Sequence, residues 1–184
     1  PWIAYGITNS MLATMALGSK VELCPNFEPD AVFSNIGRFT VSFGAPFHYR
    51  YVKEHYNELS DELKEELSKV ECVISGGDKM SVKECEEFEK ELNIPILNGY
   101  GNNEGLGGLS ISTLSNNEYG TVGTAKYNDI IISYDNENKQ ELQYGEVGEI
   151  CAGVNDMASR LEEYFNEKNR NEQFYYKFVP EKFR

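Results

Sequence analysis

Asn98-Gly-Tyr-Gly-Asn-Asn-Glu104 directly follows the apolar run Ile94 to Leu97, and Ser75-Gly-Gly-Asp-Lys79 follows a second apolar run, Val70 to Ile74. These two stretches carry the residue types that a nucleotide pocket needs. Glycines at a strand end let backbone approach a ligand closely, an aromatic such as Tyr100 can stack on a base, and a carboxylate such as Glu104 can hold Mg²⁺. Neither stretch decides the matter alone. Gly-rich turns with an acid are common, and Tyr100 also suits a half-buried sheet position. The pattern is not a dinucleotide fingerprint, because Glu104 stands where the third glycine should be, and no Gly-Lys-Ser/Thr phosphate loop occurs in the chain.

The elements that must position these residues follow from periodicity. Ile7 to Leu17 is rich in helix formers and stops at Gly18, and Lys20 to Cys24 alternates as a strand does before Pro25. Pro29 suits the first turn of a helix running through Ile36. Thr40 to Phe43 reads as a strand, Pro46 to Tyr56 as a helix, and Ser60 caps a short acidic helix to about Leu67. Val70 to Ile74 has the character of a buried strand. Ser81-Val-Lys-Glu84 is a capping box, and Val82, Cys85, Phe88 and Leu92 fall on one helix face. Ile94 to Leu97 is the next strand. Successive βα units of this kind predict a mostly parallel sheet flanked by helices over residues 1–108, an α/β architecture.

In such a sheet, ligands bind beyond the carboxyl ends of the strands. Gly76-Gly77 and Gly99 to Gly101 both leave strands at that edge, so the two loops face one cavity if their strands are neighbours. After Gly108 the pattern changes. Leu109 to Thr113, Gly120 to Gly123, Asp129 to Tyr134 and Glu146 to Ala152 predict antiparallel strands separated by turn clusters, an antiparallel strand-rich segment over 109–156. A C-terminal helix, Met157 to Asn169, opens a tail over 157–184.

Composition narrows the function classes. The chain of 184 residues has 17 Lys and Arg against 30 Asp and Glu, a formal net charge of −13. The acid is spread over helix faces such as Asp61 to Glu66, and neither a basic cluster nor a basic amphipathic helix is present. This argues against nucleic acid or an anionic membrane as partner. A polyanionic ligand needs local cations or a metal. Cys24, Cys72, Cys85 and Cys151 are far apart with no CxxC pair, so neither a disulfide framework nor a zinc site is expected, and a reducing, cytoplasmic setting is the default. The longest apolar run, Met11 to Leu17, is too short to span a membrane. The chain begins at Pro1 within sequence of ordered character, which suggests a fragment of a larger domain.

Four collinear motifs together carry more than any one. Ser75-Gly-Gly-Asp-Lys-Met80, Ile96-Leu-Asn-Gly-Tyr-Gly-Asn-Asn-Glu104, Gly120-Thr-Val-Gly123 and Glu141-Leu-Gln-Tyr-Gly-Glu-Val-Gly-Glu-Ile150 resemble, in order and spacing, the adenylate-forming enzymes. That family includes acyl-CoA and aryl-CoA synthetases, adenylation domains of peptide synthetases, and luciferases. The segment Pro1-Trp-Ile-Ala-Tyr-Gly6 with Leu17-Gly18 looks like the family's stretch near the acyl pocket, so the likeness covers residues 1 to about 153.

The resemblance implies roles residue by residue. Gly76, Gly77, Asp78 and Lys79 match the adenine-flanking loop. Asn98, Gly99, Tyr100 and Gly101 match the segment whose aromatic stacks on adenine, and Glu104 matches the acid that helps hold Mg²⁺. At Asn103 the family usually has Thr, whose hydroxyl bonds the α-phosphate; an amide can still donate. The implied ligands are ATP or AMP, Mg²⁺, a small carboxylic acid, and CoA or a carrier-protein thiol.

The chain also departs from the family pattern. The Ser/Thr/Gly-rich phosphate loop would precede Pro1, nothing from Tyr164 to Arg184 matches the ribose-binding Thr-Gly-Asp motif, the C-terminal domain with its catalytic lysine does not occur, and Ile3 stands where a His is frequent. The expectation is the central fragment of a carboxylate-adenylating acyl- or aryl-CoA ligase, inactive in isolation. The alternative is a degenerate adenylation fold serving nucleotide sensing or protein contacts. For the remaining residues ordinary packing is expected. His48 reads as a helix-start residue or a pocket liner, His55 as solvent-facing, Phe27, Phe33, Phe39 and Phe43 as core, and Trp2 and Tyr5 as either acyl contacts or packing residues.

Overall fold

The computed structural model describes residues 3–23, 35, 38–103, 107–125, 130–135, 137–138 and 140–153. Five strands form the main sheet: β1 (Val41–Gly44), β2 (Cys72–Ser75), β3 (Ile96–Asn102), β4 (Gly107–Ile111) and β5 (Thr124–Ala125), in that spatial order. The first three run parallel, with Gly44 beside Ser75 and Ser75 beside Asn98, and β4 and β5 then add antiparallel. A second sheet, order β7-β6-β8, joins β6 (Ile130–Asp135), β7 (Gln140–Glu141) and β8 (Glu149–Gly153). Mostly parallel α/β structure followed by antiparallel strands is the architecture expected from the sequence.

The helices start and stop where local chemistry requires. The first, α1, is π-wound over Tyr5–Leu12 and α-helical over Ala13–Ala16, and ends at Gly18 with φ +70°. Helix α2 (Pro46–His55) begins on a proline, whose fixed φ suits a first turn. Helix α3 (Asp61–Leu67) is capped by the Ser60 hydroxyl, which accepts from the Leu63 N–H at 3.3 Å. In α4 (Val82–Leu92), Ser81 and Glu84 form the predicted capping box, and Asn93 closes the helix in the left-handed region at φ 57°.

Alternation along the strands sends side chains to two cores. On one face Val73 and Ile96 pack with Tyr49, Val52, Cys85, Phe88 and Leu92 of α2 and α4. On the other, Cys72, Ile74 and Leu97 pack with Tyr5 of α1, Val41, Phe43 and Ile111. Truncating a side chain as enclosed as Phe88, which has no exposed surface, costs about 3–5 kcal/mol. Tyrosines from both faces meet at one carbonyl: Tyr49 Oη donates to Ile74 O at 2.9 Å and Tyr5 Oη donates to the same oxygen at 2.8 Å. The carboxyl ends of β1 and β2 are thereby pinned from above and below.

Several sequence expectations need correction. Residues 19–23 carry no strand, because nothing in the sheet pairs with them, and Cys24 lies outside the described residues. Gly120 to Gly123 is a turn rather than a strand; both glycines have positive φ, and pairing begins only at Thr124. His55 is half-buried and stacked on Tyr51 with ring centroids 4.1 Å apart, not simply solvent-facing. The helix expected from Pro29 to Ile36 falls almost wholly outside the described residues, as do Trp2, Phe27, Phe33 and the tail from Met157. Among the described residues no helix is long and apolar enough to cross a membrane.

Candidate functional site

The rim beyond the carboxyl ends of β1, β2 and β3 is built by three parallel neighbours in register, so the turns that leave β2 and continue β3 lie side by side. Gly76 is the contact between them. A Cβ there would lie 3.6 Å from Gly99 O and 3.2 Å from both Cε2 and Cζ of Tyr5, so even a methyl group would press on the Tyr5 ring. Gly77 has φ +85° and open space around it, a conformation that L side chains rarely adopt. Asp78 Oδ1 accepts from the Lys79 N–H at 2.7 Å, and Asp78 and Lys79 are exposed. Met80 then turns inward, 5% exposed, and anchors the end of the loop in the core.

The glycine segment after Leu97 is not a loop leaving the strand. Strand β3 continues through it to Asn102, with a bulge between Tyr100 and Gly101, because β4 pairs with it antiparallel. Close approach of backbone is thus provided by a bulged strand edge rather than by a free turn. Tyr100 is half-buried, so its ring is neither fully enclosed nor free in solvent. Asn98 is turned away from the rim: its Nδ2 lies 3.9 Å from Cys85 Sγ of α4, and its carbonyl accepts from the Ser112 N–H at 2.8 Å. Burial pushes the Cys85 thiol up, so that partner stays neutral. The Asn98 side chain is thus buried on the helix side of β3.

At the far end of β3, Asn103 is exposed and its Oδ1 accepts from the Ala4 N–H at 2.8 Å. This bond ties the start of α1 to the strand end, 99 residues away in the chain. What the amide offers a ligand is then its Nδ2 donor. Glu104, the expected metal ligand, lies outside the described residues. Among the described residues no group of three or more His, Cys, Asp or Glu could hold a metal ion.

Two residues outside the glycine motifs complete the rim. Tyr5, left open as an acyl contact or a packing residue, packs edge-on to Phe43 at 6.3 Å and forms the wall beneath Gly76. Burial pushes its phenol well above the ordinary range, which keeps the proton available for donation to Ile74 O. Arg50, an unremarked cation in an amphipathic helix, reaches Lys79 O with Nη2 at 3.3 Å. No local motif marks it, since the contact depends on how α2 lies against the loop. His48 is committed to the start of α2, its Nδ1 accepting from the Ala45 N–H at 3.0 Å, and burial lowers its pKa.

The fold recurs in known proteins. The fold is shared with the ATP-bound MatB of Rhodopseudomonas palustris (TM-score 0.80, 21% identity, 94% of this chain and 33% of that one). It is shared equally with the anthranilate CoA ligase AuaEII in complex with anthranoyl-AMP (TM-score 0.80, 16% identity, 93% and 32%). A benzoate CoA ligase from Burkholderia xenovorans LB400 is similar too (TM-score 0.77, 23% identity, 93% and 34%). The chain spans about one third of the length of these proteins. No curated protein matches the chain at a significant level. The AMP-binding enzyme family matches residues 1–160, a span that contains both glycine segments and the rim they form, and the chain belongs to that family.

Proposed function

We propose that this chain is the central part of an ATP-dependent carboxylate-adenylating enzyme of the acyl- or aryl-CoA ligase type. The observation that carries this reading is the register of Ser75 beside Asn98, which brings the Gly76-Gly77 loop against Gly99 at the carboxyl edge of parallel strands. In the proposed reaction a substrate carboxylate oxygen attacks the α-phosphorus of ATP, the bond to the bridging oxygen breaks, and pyrophosphate leaves. A thiol, of CoA or a carrier protein, then displaces AMP from the acyl carbon.

The chain's contribution is positioning and charge. Tyr100 stacks on adenine opposite the backbone of Gly76 and Gly77, whose lack of side chains permits approach. Asp78 and Lys79 border the base, with Lys79 a local cation in an acidic chain, and Asn103 donates from Nδ2 toward the α-phosphate. Mg²⁺ accompanying the nucleotide supplies neutralisation of phosphate charge. Glu104 is the residue that would hold it. One carboxylate next to the exposed Asn103 fits an ion that keeps several waters and phosphate oxygens as ligands.

The decisive test is ATP–pyrophosphate exchange in the full-length protein across a panel of carboxylic acids, with Tyr100→Ala and Glu104→Ala beside the wild type. Exchange with at least one acid, reduced more than about tenfold by either substitution, supports the reading. Exchange indifferent to both refutes the roles. A second reading, a nucleotide-binding module without turnover, is favoured by Asn103, which stands in place of the family's Thr and binds Ala4. AMP binding with no exchange for any acid would establish it.

A further inference from the structure

Helices α2 and α4 follow adjacent parallel strands, and three polar contacts link α2 and the 3-10 turn after it (Tyr56–Glu58) to α4 at a constant spacing. Arg50 meets Glu84, Lys53 meets Glu87 and Asn57 meets Glu91, each pair separated by 34 residues, so the contacts climb α4 in steps of three and four. Exposed pairs of this kind ordinarily add little. The first rung differs from the other two. The Arg50 guanidinium donates through Nε to Glu84 Oε1 at 2.6 Å and through Nη2 to Lys79 O at 3.3 Å. Glu84 in turn accepts at Oε2 from the Ser81 N–H at 2.8 Å and from the Ser81 hydroxyl at 2.6 Å.

One planar fork thus grips both sides of buried Met80, the last residue of the glycine loop before the Ser81 cap. The loop's other end is held by the Gly76 N–H donating to Gly44 O at 3.1 Å. Between these fixed points lie Gly77 at φ +85° and the exposed Asp78 and Lys79, none of which is anchored by core packing. We propose that Arg50 is a positioning residue for the nucleotide site: it fixes the Lys79 carbonyl and the α4 cap together, and so holds Gly76 and Gly77 against β3. This rests on the reading of that loop as the adenine wall. Lysine could keep the charge and the Glu84 pair, but a single ammonium on a flexible stem cannot reproduce the fixed two-directional fork.

The test compares Arg50→Lys, Arg50→Met and Lys53→Met. Lys53→Met removes the neighbouring rung, which does not touch the loop, and so controls for helix pairing. Amide hydrogen exchange at residues 77–81 should quicken roughly tenfold in both Arg50 variants and stay unchanged in Lys53→Met, whatever each does to global stability. In pyrophosphate exchange by the protein, KM for ATP should rise roughly tenfold in the Arg50 variants with a smaller change in kcat. Loop exchange unchanged in the Arg50 variants, loosened equally by Lys53→Met, or loosened with no change in KM for ATP would overturn the proposal. If the full-length wild type neither binds nucleotide nor supports exchange, the adenylation reading fails, and the amide data alone decide whether Arg50 fixes the loop.

Discussion

Asn103 accepts a hydrogen bond at Oδ1 from the backbone N–H of Ala4, and this joins the start of α1 to the end of the strand that carries Tyr100. The bond gives the Oδ1 half of the amide a structural partner and leaves Nδ2 as the half that the proposed phosphate contact would use. Asn103→Asp keeps an acceptor for Ala4 but replaces the Nδ2 donor with negative charge. Stability should therefore change by no more than about 0.5 kcal/mol, as for exposed sites generally. Affinity for ATP should fall at least about tenfold, equivalent to ~1.4 kcal/mol. Thermal melting and calorimetric titration with ATP measure the two separately. A variant that melts normally and binds ATP as the wild type does would remove Asn103 from the phosphate side of the site.

The Tyr5 ring cannot swing away from Gly76, because its hydroxyl is held at 2.8 Å by Ile74 O in the floor of the sheet. Gly76→Ala places a Cβ 3.2 Å from two atoms of that ring, so the backbone of the loop must move. Overpacking of this kind costs about 1–3 kcal/mol. In a Tyr5→Ala background the same substitution should cost much less. A double-mutant cycle by urea denaturation therefore gives a coupling of about 1 kcal/mol or more. Additive effects would mean that the ring and the loop are independent.

What could be read from the sequence was whatever local chemistry dictates. The Ser81 capping box, the Ser60 cap, the Gly18 stop and the strand before Gly76 are each written in a few adjacent residues, and all stand where expected. The convergence of the glycine segments was legible because β-strands separated by single helices become parallel neighbours. The continuation of β3 to Asn102 was not, since it depends on antiparallel pairing with β4. Nor was the inward turn of Asn98, which follows from strand parity once Ile96 faces the helices. Arg50 was invisible for a similar reason: its partner Lys79 is 29 residues away and is met through a backbone carbonyl, which no side-chain pattern reports.

Gly77 and Gly123 share positive φ, +85° and +75°, yet their surroundings differ. Nothing lies within 4 Å of a Cβ built on Gly77, whereas one on Gly123 would fall 2.1 Å from the Ile111 carbonyl carbon. Gly77→Ala should cost only the backbone term, about 1–2 kcal/mol. Gly123→Ala must also push the turn away from β4, which ends at Ile111, and should exceed about 4 kcal/mol, where few single substitutions lie. Gly77→Asn should be milder than Gly77→Ala, because Asn tolerates the left-handed region. Denaturant midpoints rank the three, and equal losses at the two glycines would contradict the assigned crowding at Gly123.

Glu84 gives the rim a measurable acid response. The Arg50 guanidinium, aided by the Ser81 hydroxyl and N–H, lowers its carboxyl from 4.5 to about 2. A carboxyl whose folded value lies below its unfolded one stabilises the fold above the unfolded value and loses that contribution as pH falls through the folded one. The stability gap between wild type and Glu84→Gln should accordingly be complete above about pH 4.5 and close as pH falls toward about 2. The gap itself is modest, because the pair is well exposed and screened by solvent and salt, and it should narrow further at high ionic strength. Urea unfolding of both proteins from pH 7 down into the acid range follows the gap directly. A gap that stayed constant through the acid range would show that the Glu84 charge, and so its pairing with Arg50, does not contribute to the folded state.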